Sequence, residues 1–551
     1  MPSVARLLPL LVVAAVVGLV YQAARSPLPA ASGVLEVGAD VDGLAAPVAE
    51  VNAEFHRKWR EADLVPSSPA PDLQVLRRLT LALLGTIPSL EEIRQFEADA
   101  RPDRLAHWTR RLLADKRFDY YFAERLSRSF VGNEEGQFVV FRRDRFKNWL
   151  AEQLRQNTPY DEMVRNMVSS TGLWTGKPAT NFVTAAVNDG DVDENKLAGK
   201  TVRAFLGQRI DCAQCHDAFF SHWKQHEFEG LAAFYGQVRT NLVGVEDKTN
   251  QDGAPIEYSV EDRKTLKQRV VPESVPFHAE WLPAEGTRRE RLAQWLTHPE
   301  NRRFERAIAN RVWALMFGRA WREPVDDLPD PSDDSRDVLD LLGADFRAHG
   351  CDLRRLIQVI AASEPFRVDS EPTAGFAEAG SFGEQEANVR RAEHAWAVFP
   401  LIRSRPEQVV GSIRQSASIQ TADYDAHWFL RMIRLIQESD FVKEYGDLGE
   451  NELADRGGTI PQRLLMLNGE RAAEAAQAGP LNATGRIAAM ASTDERCIET
   501  AYLICLTRRP TPEEREHFLG ELKGKTGDER TTAIEDLVWS LFNSTEFSWN
   551  H

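Results

Sequence analysis

The sequence predicts a mainly α protein, with two helical regions joined by a polar, partly extended connector. Three observations carry that reading. From about residue 48 onward nearly every segment repeats its apolar residues at helical spacing instead of alternating them. Helix-start signals recur: Ser89-Leu90-Glu91-Glu92 reads as a capping box, Thr158-Pro159-Tyr160-Asp161 sets a proline at a first helical position, and Thr511-Pro512-Glu513-Glu514 combines both devices. The pattern then breaks in one long polar stretch, Thr240 to Gly286, which holds the β-favouring pieces IEYSV and QRVVPESV.

Taken in order, the chain begins with MPSVARLLPLLVVAAVVGLVYQAA, in which Arg6 precedes an uncharged, almost wholly apolar run from Leu7 to Val20. A run of that length suits the centre of a signal peptide better than a membrane span, which wants about 20 residues. Residues 1–33 are therefore read as a signal peptide or uncleaved N-terminal anchor, the chain's sole expected contact with a membrane, and the protein as exported to the periplasm or cell envelope. Residues 48–239 form the first helical region, 240–286 the connector and 287–551 the second helical region. In the second, Val312, Leu315 and Met316 share a helix face and Gly318 suits a helix C-terminus. Asn310 and Arg311 could join Asp326 and Asp327 in a polar pocket. Two further breaks, beginning at Glu371 and Tyr445, read as surface loops.

Composition excludes several classes. The 551 residues are 43% hydrophobic and 27% charged, which suits a folded globular chain and not a disordered one. Acidic residues outnumber basic ones 83 to 67, a net charge of −16 that repels nucleic acid. Five cysteines are too few for a disulfide scaffold. Cys497 and Cys505 sit in one helical segment about 12 Å apart, too far to pair with each other. There is no G-x-S-x-G, H-E-x-x-H or dinucleotide fingerprint, so no hydrolase or nicotinamide activity is indicated. Gly172-Leu173-Trp174-Thr175-Gly176-Lys177-Pro178 lacks the Ser or Thr of a phosphate loop, and Asp189-Gly190-Asp191-Val192-Asp193 lacks the later ligands of a calcium loop.

One motif carries chemistry. Cys212-Ala213-Gln214-Cys215-His216 is C-x-x-C-H, in which two thiols one turn apart can bond the two vinyl groups of haem and the histidine supplies the proximal nitrogen to iron. Chance occurrence in this composition is about one in a thousand. Covalent haem attachment takes place outside the cytoplasm, in keeping with the N-terminal run, and an electron-transfer role with a periplasmic redox partner follows. The same residues allow two alternatives. Cys212, Cys215, His222 and His226 form a compact C-x₂-C, H-x₃-H set of zinc-like composition, and the two thiols alone could form a local disulfide; either would make this a binding or scaffold protein. A periplasmic haem enzyme of unknown substrate is the third class. For a sixth iron ligand, ten residues from His216 to His226 reach about 33 Å, whereas six to His222 reach about 20 Å, so His226 is the better nearby candidate. Met163 and Met167 are distant ligand candidates or core filling.

Several segments then look familiar. LRRLTLALLGTIPSLEEIRQF, FKNWLAEQLRQNTPYDEMV and RAFLGQRIDCAQCHDAFFSHWKQHEFEGLAAFYGQ resemble the planctomycete-type cytochrome c-like family, domain of unknown function DUF1549. ERLAQWLTHPENRRFERAIANRVWALMFGRAWREPVDD, CDLRRLIQVIAASEPFR and DLVWSLFNSTEFSWNH resemble its usual companion, the planctomycete-specific DUF1553. The resemblance implies export and haem binding, with no established biochemical role. It also exposes a departure. The family pattern His-Asp-His-Pro-Phe here reads His216-Asp217-Ala218-Phe219-Phe220, so a second histidine is replaced by Ala218 and its task falls to His222 or His226, if to any residue. The further cytochrome c-like domain that many members carry upstream has no counterpart, since residues 34–211 contain no cysteine.

Overall fold

The computed structural model describes residues 42–132, 143–188, 191–219, 221–241, 244–261, 266–332, 336–372, 381–422, 440–446 and 458–551. The N-terminal apolar run lies outside them, as does most of the two breaks beginning at Glu371 and Tyr445. Among the described residues helices dominate, and the strands are short antiparallel pairs. No described helix is long and apolar enough to cross a membrane.

The first region opens with α1 (Asp42–Glu61), which buries Val51, Phe55 and Trp59. α2 (Asp72–Leu84) is buried at every residue from Val75 to Leu84, the mark of a helix enclosed on all sides. α3 (Leu90–Ala98) starts at the expected capping box, with Ser89 and Glu92 bonding each other's backbone N–H. α4 (Arg104–Leu113), α5 (Lys116–Val131) and α6 (Arg143–Arg155) follow, α5 and α6 packing along each other. α7 (Tyr160–Ser169) begins one residue later than the proline signal suggests: Pro159 is its N-cap, and the Tyr160 N–H donates to the Cys351 carbonyl. Met163 and Met167 are fully buried on α7, so they are core residues and the distant-ligand reading of them is withdrawn. α8 (Glu194–Phe205) and α9 (Gln225–Ala233) complete the region.

The connector is two hairpins. β1 (Val238–Asn241) pairs with β2 (Gly244–Asp247), Val238 opposite Asp247, and β3 (Tyr258–Glu261) pairs with β4 (Gln268–Val271), Tyr258 opposite Val271. α10 (Arg288–Leu296) ties them back to the first region through the fully buried Arg289, which forks onto both oxygens of Asp247 and donates to the carbonyls of Val168 and Ser170.

α11 (Arg302–Phe317) is the buried axis of the second region, enclosed from Phe304 to Phe317 and closed by Gly318 in the left-handed conformation at φ 83°. Its Trp313 and Phe317 sit in an aromatic cluster with Phe55 of α1, Trp321, Trp396 and Phe399. α12 (Val338–Ala348), α13 (Leu353–Ala362) and α14 (Pro406–Ala417) follow, and α15 (Asp494–Leu506) and α16 (Gly527–Phe542) pack together near the end of the chain. That last layer shares its apolar core with Leu81 of α2 and Ile87. Two buried arginines of α2 bind the layers through backbone carbonyls: Arg77 donates to Cys505 and Phe547, Arg78 to Phe366, Val368 and His551. Residues Pro47–His551 thereby form one compact unit, with the two helical regions packed against each other.

Candidate functional site

The C-x-x-C-H segment lies between α8 and α9. Asp193 caps α8, accepting from the Lys196 N–H, and the helix ends at Leu206. Gly207 then turns the chain at φ 62°, in a place where an added Cβ would lie 3.1 Å from that of Ala307 in α11. Ile210 and Ala213 are fully buried and anchor a single 3₁₀ turn, Asp211–Gln214. Between those anchors the chemistry-bearing side chains face solvent: Cys212 and Cys215 are exposed and unpaired, and His216 is exposed. Trp223, 2% exposed, is the next anchor, its carbonyl accepting from the Ala218 N–H.

His216 has a defined orientation. Its Nδ1 lies 2.8 Å from the Asp217 carbonyl, and because a carbonyl only accepts, that nitrogen carries the proton and Nε2 is left as the basic one. The Phe219 ring, 82% exposed, sits 4.8 Å from the imidazole. The Asp217 carboxylate accepts from the Gln225 N–H and lies 3.4 Å from Lys224 Nζ, which together hold it below the usual carboxylate range. His226, in the first turn of α9, is exposed. His222 stacks on Trp223 and places Nε2 3.7 Å from Asp330. Among the described residues no three His, Cys, Asp or Glu side chains converge as metal ligands, so Cys212, Cys215, His222 and His226 are not gathered on one centre.

The acidic run Asp326-Asp327-Leu328-Pro329-Asp330 of the second region reaches this segment. Arg209 forks onto Asp326 with both Nε and Nη2 (3.0 and 2.7 Å), and its backbone N–H donates to Asp327. Gln208 donates to Asp330, and the Leu328 N–H donates to the Gly207 carbonyl at 2.6 Å. This corrects the expected polar pocket. Asn310 does not meet Asp326 or Asp327; its amide donates to the carbonyls of Arg322 and Val325 and accepts from the Arg322 N–H, so it shapes the loop that carries them. The acidic run was visible in the sequence, but no spacing rule links Arg209 to a carboxylate 117 residues away.

The fold and site define a mainly helical protein whose second region braces an exposed C-x-x-C-H turn of the first. Residues 50–240 match the family described as protein of unknown function DUF1549, and residues 288–426 match the one described as protein of unknown function DUF1553, in the order the sequence suggested. The chain belongs to the proteins that join these two regions. No curated protein and no solved structure matches it.

Proposed function

We propose that Cys212, Cys215 and His216 hold a covalently attached c-type haem, and that the protein is an exported electron carrier. The observation that carries this reading is the engagement of His216 Nδ1 by the Asp217 carbonyl, which fixes the tautomer that leaves Nε2 for iron, beside two exposed, unpaired thiols. Cys212 and Cys215 would be the thioether residues and His216 the ligand to iron, with His226 or His222 the nearby histidines that would supply a second ligand. Bound haem supplies a one-electron redox centre. The chain's own part is to hold the imidazole, to keep the attachment turn rigid through Ile210, Ala213 and Trp223, and to present the Phe219 ring at the surface where an extracytoplasmic redox partner would dock. Export rests on the apolar run from Leu7 to Val20, and a chain lacking residues 1–24 should stay in the cytoplasm.

The test is expression with a cytochrome c maturation system, followed by haem staining on a denaturing gel and intact mass. Wild type should carry the mass of one haem after denaturation, and Cys212→Ala/Cys215→Ala none. His216→Ala should alter the visible spectrum, and Cys351→Ala should not. An unmodified mass overturns the reading. Thiols then protected from alkylation until a chelator is added would establish zinc, and thiols protected until a reductant is added would establish the disulfide.

A further inference from the structure

A cleft of about 500 Å³ opens where the first region, the connector and the second region meet, bounded by α7, by Trp281 near the end of the connector, and by the C-terminal ends of α10 and α12. It shares no residue with the C-x-x-C-H segment. Its volume lies within the ordinary range of small-molecule sites, about 300–1,000 Å³, and junctions between structural units are where such sites concentrate. Pro159 and Pro299 give it apolar wall.

Its polar groups are held in place yet keep hydrogen-bonding capacity to spare. The half-buried Trp281 ring is fixed by stacking from His278 (4.0 Å, 11°) and His298 (4.7 Å, 7°). The Glu300 N–H donates to His298 Nδ1, so the proton of the neutral imidazole sits on Nε2. Arg165 is anchored through Nη1, which donates to Asp161 and to Thr297 Oγ1, and its Nε and Nη2 have no partner among the described residues. Neither do Trp281 Nε1 and His298 Nε2, and these free atoms all stay in contact with solvent. Arg347, the other cation of the lining, is paired with Glu305. Glu162 is left unmatched: it is exposed, makes no ion pair among the described residues, and faces a Gln294 amide that is equally free.

We infer that this cleft binds a free α-amino acid with a compact aliphatic side chain. The ligand carboxylate accepts from Arg165, His298 Nε2 and Trp281 Nε1, its ammonium donates to Glu162 and the Gln294 carbonyl, and its side chain rests on Pro159 and Pro299. Glu162 and Arg165 stand three residues apart on α7, which places their Cβ atoms about 5–6 Å from each other, so two opposite charges borne by one carbon can be met at once. Simpler ligands fit worse. A carboxylate without an ammonium is repelled by Glu162, an amine without a carboxylate leaves the donors unanswered, and a neutral molecule desolvates Glu162 without supplying a counter-charge.

The probe is L-leucine, titrated calorimetrically into the full chain, with 4-methylpentanoate, which lacks the ammonium, and 3-methylbutan-1-amine, which lacks the carboxylate, as comparisons. Leucine should bind at one site per chain with Kd near or below about 1 mM, and each comparison at least tenfold more weakly. Glu162→Gln, which keeps the shape and removes the charge, should weaken leucine at least tenfold and leave 4-methylpentanoate no weaker than before. His298→Phe, which keeps a ring on Trp281 and removes the Nε2 donor, should weaken leucine several-fold. Both side chains keep solvent contact, so both variants should melt close to wild type, and the comparison ligands test the wild-type protein itself. Absence of saturable leucine binding, equal binding of either comparison, or leucine binding unchanged in either folded variant would each overturn the proposal.

Discussion

The five cysteines divide by environment, and that division is measurable. Cys212 and Cys215 are exposed, whereas burial pushes the thiols of Cys351 and Cys497 up to about 11 and that of Cys505 higher still. Thiolate is the reactive form, so a native, haem-free preparation treated with an alkylating reagent near neutral pH should label two cysteines quickly and the other three only after denaturation. Mass spectrometry of the labelled peptides reads this directly. Asp119 on α5 makes a second residue-scale case. Burial pushes its carboxyl up to about 6 from an ordinary 3.8, although Arg155 and Arg354 oppose the shift. A raised acid binds more protons folded than unfolded between those two values, so its contribution to stability is present below about pH 4 and lost as pH rises toward 6. The urea stability of wild type relative to Asp119→Asn should therefore fall across that window, and a flat difference would contradict the burial argument. Identity at this scale was partly legible: the C-x-x-C-H residues can be found by eye, but the His216 tautomer depends on the carbonyl of its neighbour and leaves no trace in the spelling.

Elements were the most readable level, because capping and periodicity are local. The boxes at Ser89 and Thr511 and the glycine after α11 all appear where the residues placed them. The helix start at Pro159 moves by one residue, and the freed Tyr160 N–H finds its partner in the Cys351 carbonyl, a tertiary bond that local chemistry does not contain. Gly318 illustrates the difference in information. The sequence marks it as a helix end, while the structure adds that a Cβ there would lie 2.6 Å from Ile402 Cγ2 at φ 83°. Gly318→Ala should cost about 1–3 kcal/mol through backbone strain and overlap together. Pairing it with Ile402→Ala should restore part of that loss beyond additivity, as chemical denaturation of the four proteins in the cycle can show.

At the scale of the molecule, the interleaving of the two regions was hidden from the sequence. The connector reads as a boundary, yet α2 of the first region lies enclosed against α11 and the C-terminal layer, and Asp326 and Asp327 of the second region grip Arg209 ahead of the C-x-x-C-H turn. A fragment of residues 42–286 would leave the apolar flank of α2 and the guanidinium groups of Arg77 and Arg78 without their partners. It should fail to unfold cooperatively and should aggregate, whereas residues 42–551 should give one main transition by circular dichroism. Two transitions in the longer chain, or a cooperative fragment, would show that the shared core matters less than its burial suggests.

Those same two arginines bear on timing. The carbonyl that Arg77 reaches at Phe547 lies 470 residues downstream, and the nearest of those that Arg78 reaches, at Phe366, lies 288 downstream. At translation speeds of about 5–20 residues per second, the ribosome needs about 25–95 s to deliver Phe547 after Arg77 has been made. For that interval α2, although α4 and α5 can already pack on it, lacks the carbonyls of Cys505 and Phe547 and the apolar surface of the C-terminal layer, and closing so long a loop makes the step intrinsically slow. The nascent chain therefore passes through a prolonged period in which one flank of its central helix is a ready target for a holding chaperone, and the native packing of that helix is complete only when nearly the last residue has been added.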